Sequence, residues 1–150
     1  MKKQILTALL VSVVAVHASA MTKKVSVSHF TDSMKLIFEN FKQSDGSVFA
    51  SFNGDNGVNI SGPSIIDPTG LLDNIVEIWS DNKLENGYPR MSITYHGAQN
   101  GVEKCDLEFI DGPYADKLNF RSGFAPQCAG LNVRLQQKGQ YQYELHVLKL

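Results

Sequence analysis

The chain has 150 residues, 14 basic against 15 acidic, a formal net charge of −1 and 43% hydrophobic residues. That length suits one domain with a core of its own. Near-neutral charge leaves no basic footprint, which excludes nucleic acid as the expected partner and argues against electrostatic adsorption to an anionic membrane.

Residues 1–20 have the anatomy of a secretory signal peptide. Lys2 and Lys3 precede an apolar run over 5–16, and Ala18-Ser19-Ala20 offers small residues at the cleavage site. The run is shorter than the roughly 20 apolar residues of a spanning helix. Cleavage near Met21 leaves an exported domain over 21–150, in the periplasm or outside the cell of a bacterium, with no membrane insertion expected. It also leaves 12 of the 14 basic residues against all 15 acidic ones, so the exported domain is mildly acidic.

Residues 24–30 alternate as a short strand. Thr31, Asp32 and Ser33 then stand as cap residues before Met34, Ile37, Phe38 and Phe41, whose spacing is that of one helical face. A strand carrying Met34, Leu36 and Phe38 competes with that helix. Residues 47–61 read as a hairpin around Asn53-Gly54-Asp55-Asn56-Gly57, and Gly62-Pro63 ends it. The oxygen-rich turn has donors suited to calcium, but Ser64 stands where an EF-hand loop needs a bidentate Glu. Asp67-Pro68 reads as a helix start, followed by Leu71, Leu72, Ile75, Val76, Ile78 and Trp79 at helix-like spacing and a stop at Asn86-Gly87. The β-branched residues there would also suit a strand.

From residue 91 onward the pattern is strand-like. Met91, Ile93 and Tyr95 alternate with polar residues, as do Cys105, Leu107 and Phe109; shorter runs come at 118–120 and 131–135, and a last one at 141–147. The expected fold is therefore α+β: an antiparallel sheet of about five to seven strands with two helices packed on it. The alternative is an all-β sandwich or small barrel. Cys105 and Cys128 are expected to form a disulfide, since an exported pair without metal-ligand spacing is most simply a bridge.

No nucleophile elbow, phosphate-cradling glycine loop or metal-ligand spacing is present, so no cofactor and no metal is expected. Asp73, Glu77, Asp81 and Glu85 would form an acidic stripe on a helix beside Trp79, a candidate binding surface for a cationic partner. The leading expectation is a non-enzymatic exported protein that binds another protein, such as an inhibitor of, or immunity protein against, a cell-envelope hydrolase. A glycan-binding module or adhesin using Trp79 and surface tyrosines is the alternative. A small secreted hydrolase using His96 with Asp106 or Glu108 is a further one.

Overall fold

The computed structural model describes residues 31–81, 84–96, 101–123 and 126–150. The leader expected over 1–20 and the strand expected over 24–30 lie outside the described residues. In chain order the strands are β1 (Thr31–Glu39), β2 (Val48–Asn53), β3 (Val58–Ser61), β4 (Ile65–Ile66), β5 (Ile75–Ser80), β6 (Arg90–His96), β7 (Val102–Ile110), β8 (Asn119–Phe120), β9 (Gln127–Cys128), β10 (Leu131–Gly139) and β11 (Gln142–Lys149), with one 3-10 turn at Gln43–Asp45. They form two sheets. The first runs β10-β11-β1-β5-β3; the second runs β4-β2-β6-β7-β8, with β9 also paired to β7.

Neither expected helix forms, and the fold is all-β rather than α+β. At 31–41 the competing alternation wins. Met34 and Leu36 are fully or almost fully buried, and β1 is hydrogen-bonded on both edges, antiparallel to β5 and parallel to β11. A helix would satisfy the same backbone groups locally but would leave both neighbours with open edges. At 67–80 the β-branched residues decide: Val76 and Ile78 are wholly buried on the core face of β5 while Ile75 and Glu77 point outward. The cap chemistry of Asp67 is real but serves a loop, where its carboxylate accepts the backbone N–H groups of Thr69 at 2.9 Å and Leu72 at 2.8 Å. Leu71 and Leu72, which the helical spacing would place in the core, are 88% and 68% exposed.

The expected hairpin over 47–61 is also corrected. Its two strands exist, but β2 lies in the second sheet and β3 in the first, so the Asn53–Gly57 turn carries the chain across the core. Gly57, at φ +75°, and Asn56, at φ +54°, give the reversal its left-handed residues. The stop expected at Asn86-Gly87 is a close contact instead: Gly87 pairs with Asp111, and a Cβ on it would lie 2.5 Å from Val58 Cγ2.

The inward faces of both sheets form a single hydrophobic cluster. Met34, Val76, Ile78, Leu145 and Val147 from the first meet Val48, Met91, Ile93, Leu107 and Phe109 from the second. Cys105 on β7 is joined to Cys128 on β9, as expected. Beside the bridge, the Tyr95 hydroxyl donates to the carbonyl of Ala129 and also lies 3.1 Å from Glu103 Oε2. Together they pin the segment by which the chain leaves the second sheet for β10. Among the described residues no helix is long and apolar enough to cross a membrane.

One carboxyl group sits on the core side of the sandwich. Asp32 faces the core from β1, is 6% exposed, and its Oδ1 has no hydrogen-bond partner among the described residues. Burial, with the nearby Asp111 carboxylate adding to it, pushes Asp32 up to about 7 from 3.8. Burial raises Asp111 as well, against a backbone hydrogen bond from Gly112 that lowers it. The folded protein thus holds a proton that the unfolded chain releases between about pH 4 and pH 7. The stabilisation is complete below that window, falls across it, and levels off above it. Between pH 5 and pH 8 the loss should be on the order of 2–3 kcal/mol.

Two measurements test this core. Urea unfolding at pH 5 and pH 8 should show the midpoint of the native protein falling with pH and that of Asp32→Asn falling much less, with Asp111 alone left to titrate there; a flat native profile refutes the account of Asp32. Replacing both cysteines by Ala should cost about 3 kcal/mol, because the bridge closes a segment with a sequence separation of 23. Equal urea midpoints for the native and Cys-free proteins would show that the crossing is held without it.

Candidate functional site

Of the residues singled out in the sequence, Asp73, Glu77, Trp79 and Asp81 are spread along the outer face of the first sheet. Glu77 and Trp79 share the outward side of β5, Glu77 between Ser33 and Ser61 and Trp79 between Thr31 and Asn59. Trp79 is half-buried there. Asp73 precedes the strand and binds Lys35 Nζ at 2.7 Å, while Asp81 comes after it and accepts the Asn59 side-chain amide at 2.7 Å. The hydrogen bond and charge of Lys35 hold Asp73 below the ordinary carboxylate range. Glu85 is exposed further on, outside the strand. A period of four fits both a helix and a strand, so Asp73, Glu77 and Asp81 keep one side, but they are drawn out along an extended chain. The two acids flanking β5 already have partners.

His96 is not brought to the acidic residues proposed for it. It lies opposite Val102, whereas Asp106 opposes Ser92 and Glu108 opposes Arg90. Those offsets of four and six residues correspond to about 13 Å and 20 Å along the strand. His146 instead bridges two glutamates on the outer face of the first sheet, with Nδ1 2.9 Å from Glu39 and Nε2 3.1 Å from Glu144. The Asn53–Gly57 turn is braced by Asn56 Nδ2, which donates to the Asn86 carbonyl at 3.1 Å. Among the described residues no group of three His, Cys, Asp or Glu side chains could hold a metal ion.

The site with a defined shape lies on the outer face of the second sheet. A recess of about 370 Å³ opens over β2, β6 and β7, lined by Ser51, Phe52, Asn53, Arg90, Ser92, Lys104, Asp106, Leu107 and Glu108. Strand alternation places its polar members. Ser51 and Asn53 point outward from β2, Arg90 and Ser92 from β6, and Lys104, Asp106 and Glu108 from β7. Cross-strand register then sets Ser92 against Asp106 and Arg90 against Glu108.

Glu108 is the organising residue. It lies on the outer face, where alternation alone would make it solvated, yet it is 2% exposed. Two guanidiniums close over it. Arg121 Nη1 donates to its Oε1, and Arg90 Nε lies 3.3 Å from its Oε2. The second contact is an ion pair without hydrogen-bond geometry, since Oε2 has no hydrogen-bond partner among the described residues. Arg121 also lies over the Tyr88 ring, 4.0 Å from its centroid, and the hydrogen bond to Glu108 raises its affinity for the proton. On the other side of the recess Ser92 Oγ donates to Asp106 at 2.5 Å, and Lys104 Nζ lies 2.9 Å from the same carboxylate. These contacts, the Ser92 bond first, hold Asp106 below its ordinary range.

Beyond this polar floor the same face turns apolar. Phe49, two residues before Ser51 on β2, pairs with Ile65 of β4, and the two are 47% and 64% exposed. The recess was not legible as a site, because its residues come from three strands, one of them distant in the chain from the other two. The available signal was the run Lys104, Asp106 and Glu108, alternating with core residues on a single strand.

Replacing Glu108 by Gln would leave two guanidiniums facing each other across an uncharged group. Because both arginines are partly exposed, the expected loss is about 1–3 kcal/mol rather than the full cost of breaking a buried pair. Asp106→Asn, at an exposed pair, should cost under about 0.5 kcal/mol. Chemical denaturation of both variants checks this, and equal midpoints would show that Glu108 does not organise the recess.

No protein-family model matches the chain, and comparison with curated proteins and with solved structures likewise gives no match.

Proposed function

We propose that this is a non-enzymatic exported protein that acts by binding another protein through the outer face of the β4-β2-β6-β7 sheet. One observation carries the reading: a recess with fixed, mutually paired side chains adjoins the exposed apolar pair Phe49 and Ile65 on one rigid sheet face. A large apolar anchor beside ion-paired polar groups is the anatomy of a protein interface, where an aromatic residue supplies much of the energy and polar neighbours supply orientation. Export is supported by the leader-like residues 1–20 and by the disulfide, which is compatible with an oxidising compartment. In its concrete form, the partner is a hydrolase of the cell envelope that the protein inhibits or neutralises.

The test uses the protein as bait in envelope extracts, followed by calorimetry with the recovered partner. Phe49→Asp should weaken binding at least tenfold, about 1.4 kcal/mol, without shifting thermal unfolding. Glu77→Lys with Asp81→Lys, on the opposite sheet, should leave affinity unchanged. The reverse pattern would move the contact to the first sheet.

A further inference from the structure

The first sheet ends on a long open edge. β10 pairs with β11 on one side, and among the described residues no strand pairs with its other side. Such an edge, nine residues long, presents a row of backbone N–H and C=O groups that can template another strand. The other edges are short: β3 has four residues, and β4 and β8 have two each. Features that blunt an edge are confined to the far end of β10, where the ladder is irregular between Gln137 and Gly139 and Lys138 is exposed. Residues 131–136 carry no proline and no inward-facing charge. We propose that this edge is a dimerisation site, pairing antiparallel with β10 of a second copy of the chain about a two-fold axis at Val133.

The order of side chains selects both the occupant and the register. Leu131, Val133 and Leu135 face inward; Leu131 is buried, while Val133 and Leu135 pack on the core and stay half-buried. Asn132 and Arg134 are exposed on the other side. The run is therefore symmetric in kind about Val133: apolar, polar, apolar, polar, apolar. A two-fold axis there sets Val133 against its own copy, Leu131 against Leu135 of the second copy, and Asn132 against Arg134 of the second copy. Cross-strand neighbours have Cβ atoms about 5 Å apart, so both half-buried residues gain apolar partners and no like charges meet. An axis at Arg134 would oppose two guanidiniums. One at Leu135 would set Val133 against Gln137 and Leu131 against Gly139, and one at Asn132 would leave Leu135 without an apolar partner. An axis between residues would put inward side chains opposite outward ones. Any extended segment could take the backbone bonds, but a copy of this chain is the occupant that the run itself matches. The axis stands perpendicular to the sheet, so both second sheets lie on the same side of it. Their outer faces, with the recess and the Phe49–Ile65 pair, stay uncovered. Dimerisation does not depend on the binding role proposed for that face.

The test is sedimentation velocity of the disulfide-bonded protein from about 1 μM to about 1 mM, because so short a ladder is a small interface and makes a reversible dimer. A monomer–dimer equilibrium is expected. Asn132→Arg sets a cation against Arg134 of the second copy at two symmetric places and should weaken the dimer at least tenfold. Asn132→Glu sets an anion there and should tighten it severalfold, less so at high salt. Both directions oppose the effect of overall charge on a protein whose balance is negative. Asn132 is exposed, so both variants should fold; if one does not, the other decides. Phe49→Asp on the second sheet should leave the dimer unchanged. A monomer at every concentration, a dimer indifferent to the Asn132 substitutions, or one dissolved by Phe49→Asp overturns the proposal.

Discussion

β1 is held on both edges, by β5 running antiparallel and by β11 running parallel, and the first sheet exists because of it. The β11 contact joins the first described strand to the last. Met34 lies against Tyr143, Leu36 against Leu145 and Phe38 against Val147, so a ladder near the chain ends closes around everything between. A parallel pair cannot be made by a tight turn, and the loop-closure entropy of so long a connection must be met before the contact repays it. Once made, it seats five inward-facing strands opposite the second sheet and leaves that sheet's outer face as a rigid platform for the recess.

The two buried carboxylates illustrate opposite solutions to one physical problem. A carboxylate taken out of water must gain partners or give up its charge. Glu108 gains partners, because outward projection from β7 brings it under Arg90 and Arg121, and its burial is made by those arginines. Asp32 projects inward, where burial first and the like charge of Asp111 second oppose its ionisation, and it retains its proton to near neutral pH. One arrangement builds a preorganised surface. The other makes stability depend on pH with no visible gain to the fold.

The connections explain which elements could be read locally and which could not. From β1 to β6 the chain changes sheet at every step. A turn such as Asn53–Gly57 has the same residue chemistry whether its flanking strands pair with each other or part to different sheets, so the hairpin reading had no local signal against it. Met34, Ile37, Phe38 and Phe41 satisfy a helical period while Met34, Leu36 and Phe38 satisfy a strand period, and the edges offered by β5 and β11 decided between them. From β6 onward β6–β7 and β10–β11 are neighbours in both sequence and space, and there alternation was sufficient. Asp73, Glu77 and Asp81 kept one side in either conformation, which is why their grouping outlived the helix that suggested it.

By itself the sequence determined the features that side-chain period and covalent chemistry dictate: strands with one apolar face through the second half of the chain, and a cysteine pair placed to bridge Cys105 to the segment before Leu131. Tertiary structure decided which strands pair, that β2 and β3 part company, and that Glu108 is buried while Asp106, two residues away on the same face, is not. The physical reason is range. A side chain's direction is set by its own backbone, but the partner of a strand edge, and the cation that closes over an outward carboxylate, come from elsewhere in the chain: Arg90 across the ladder and Arg121 from beyond β8.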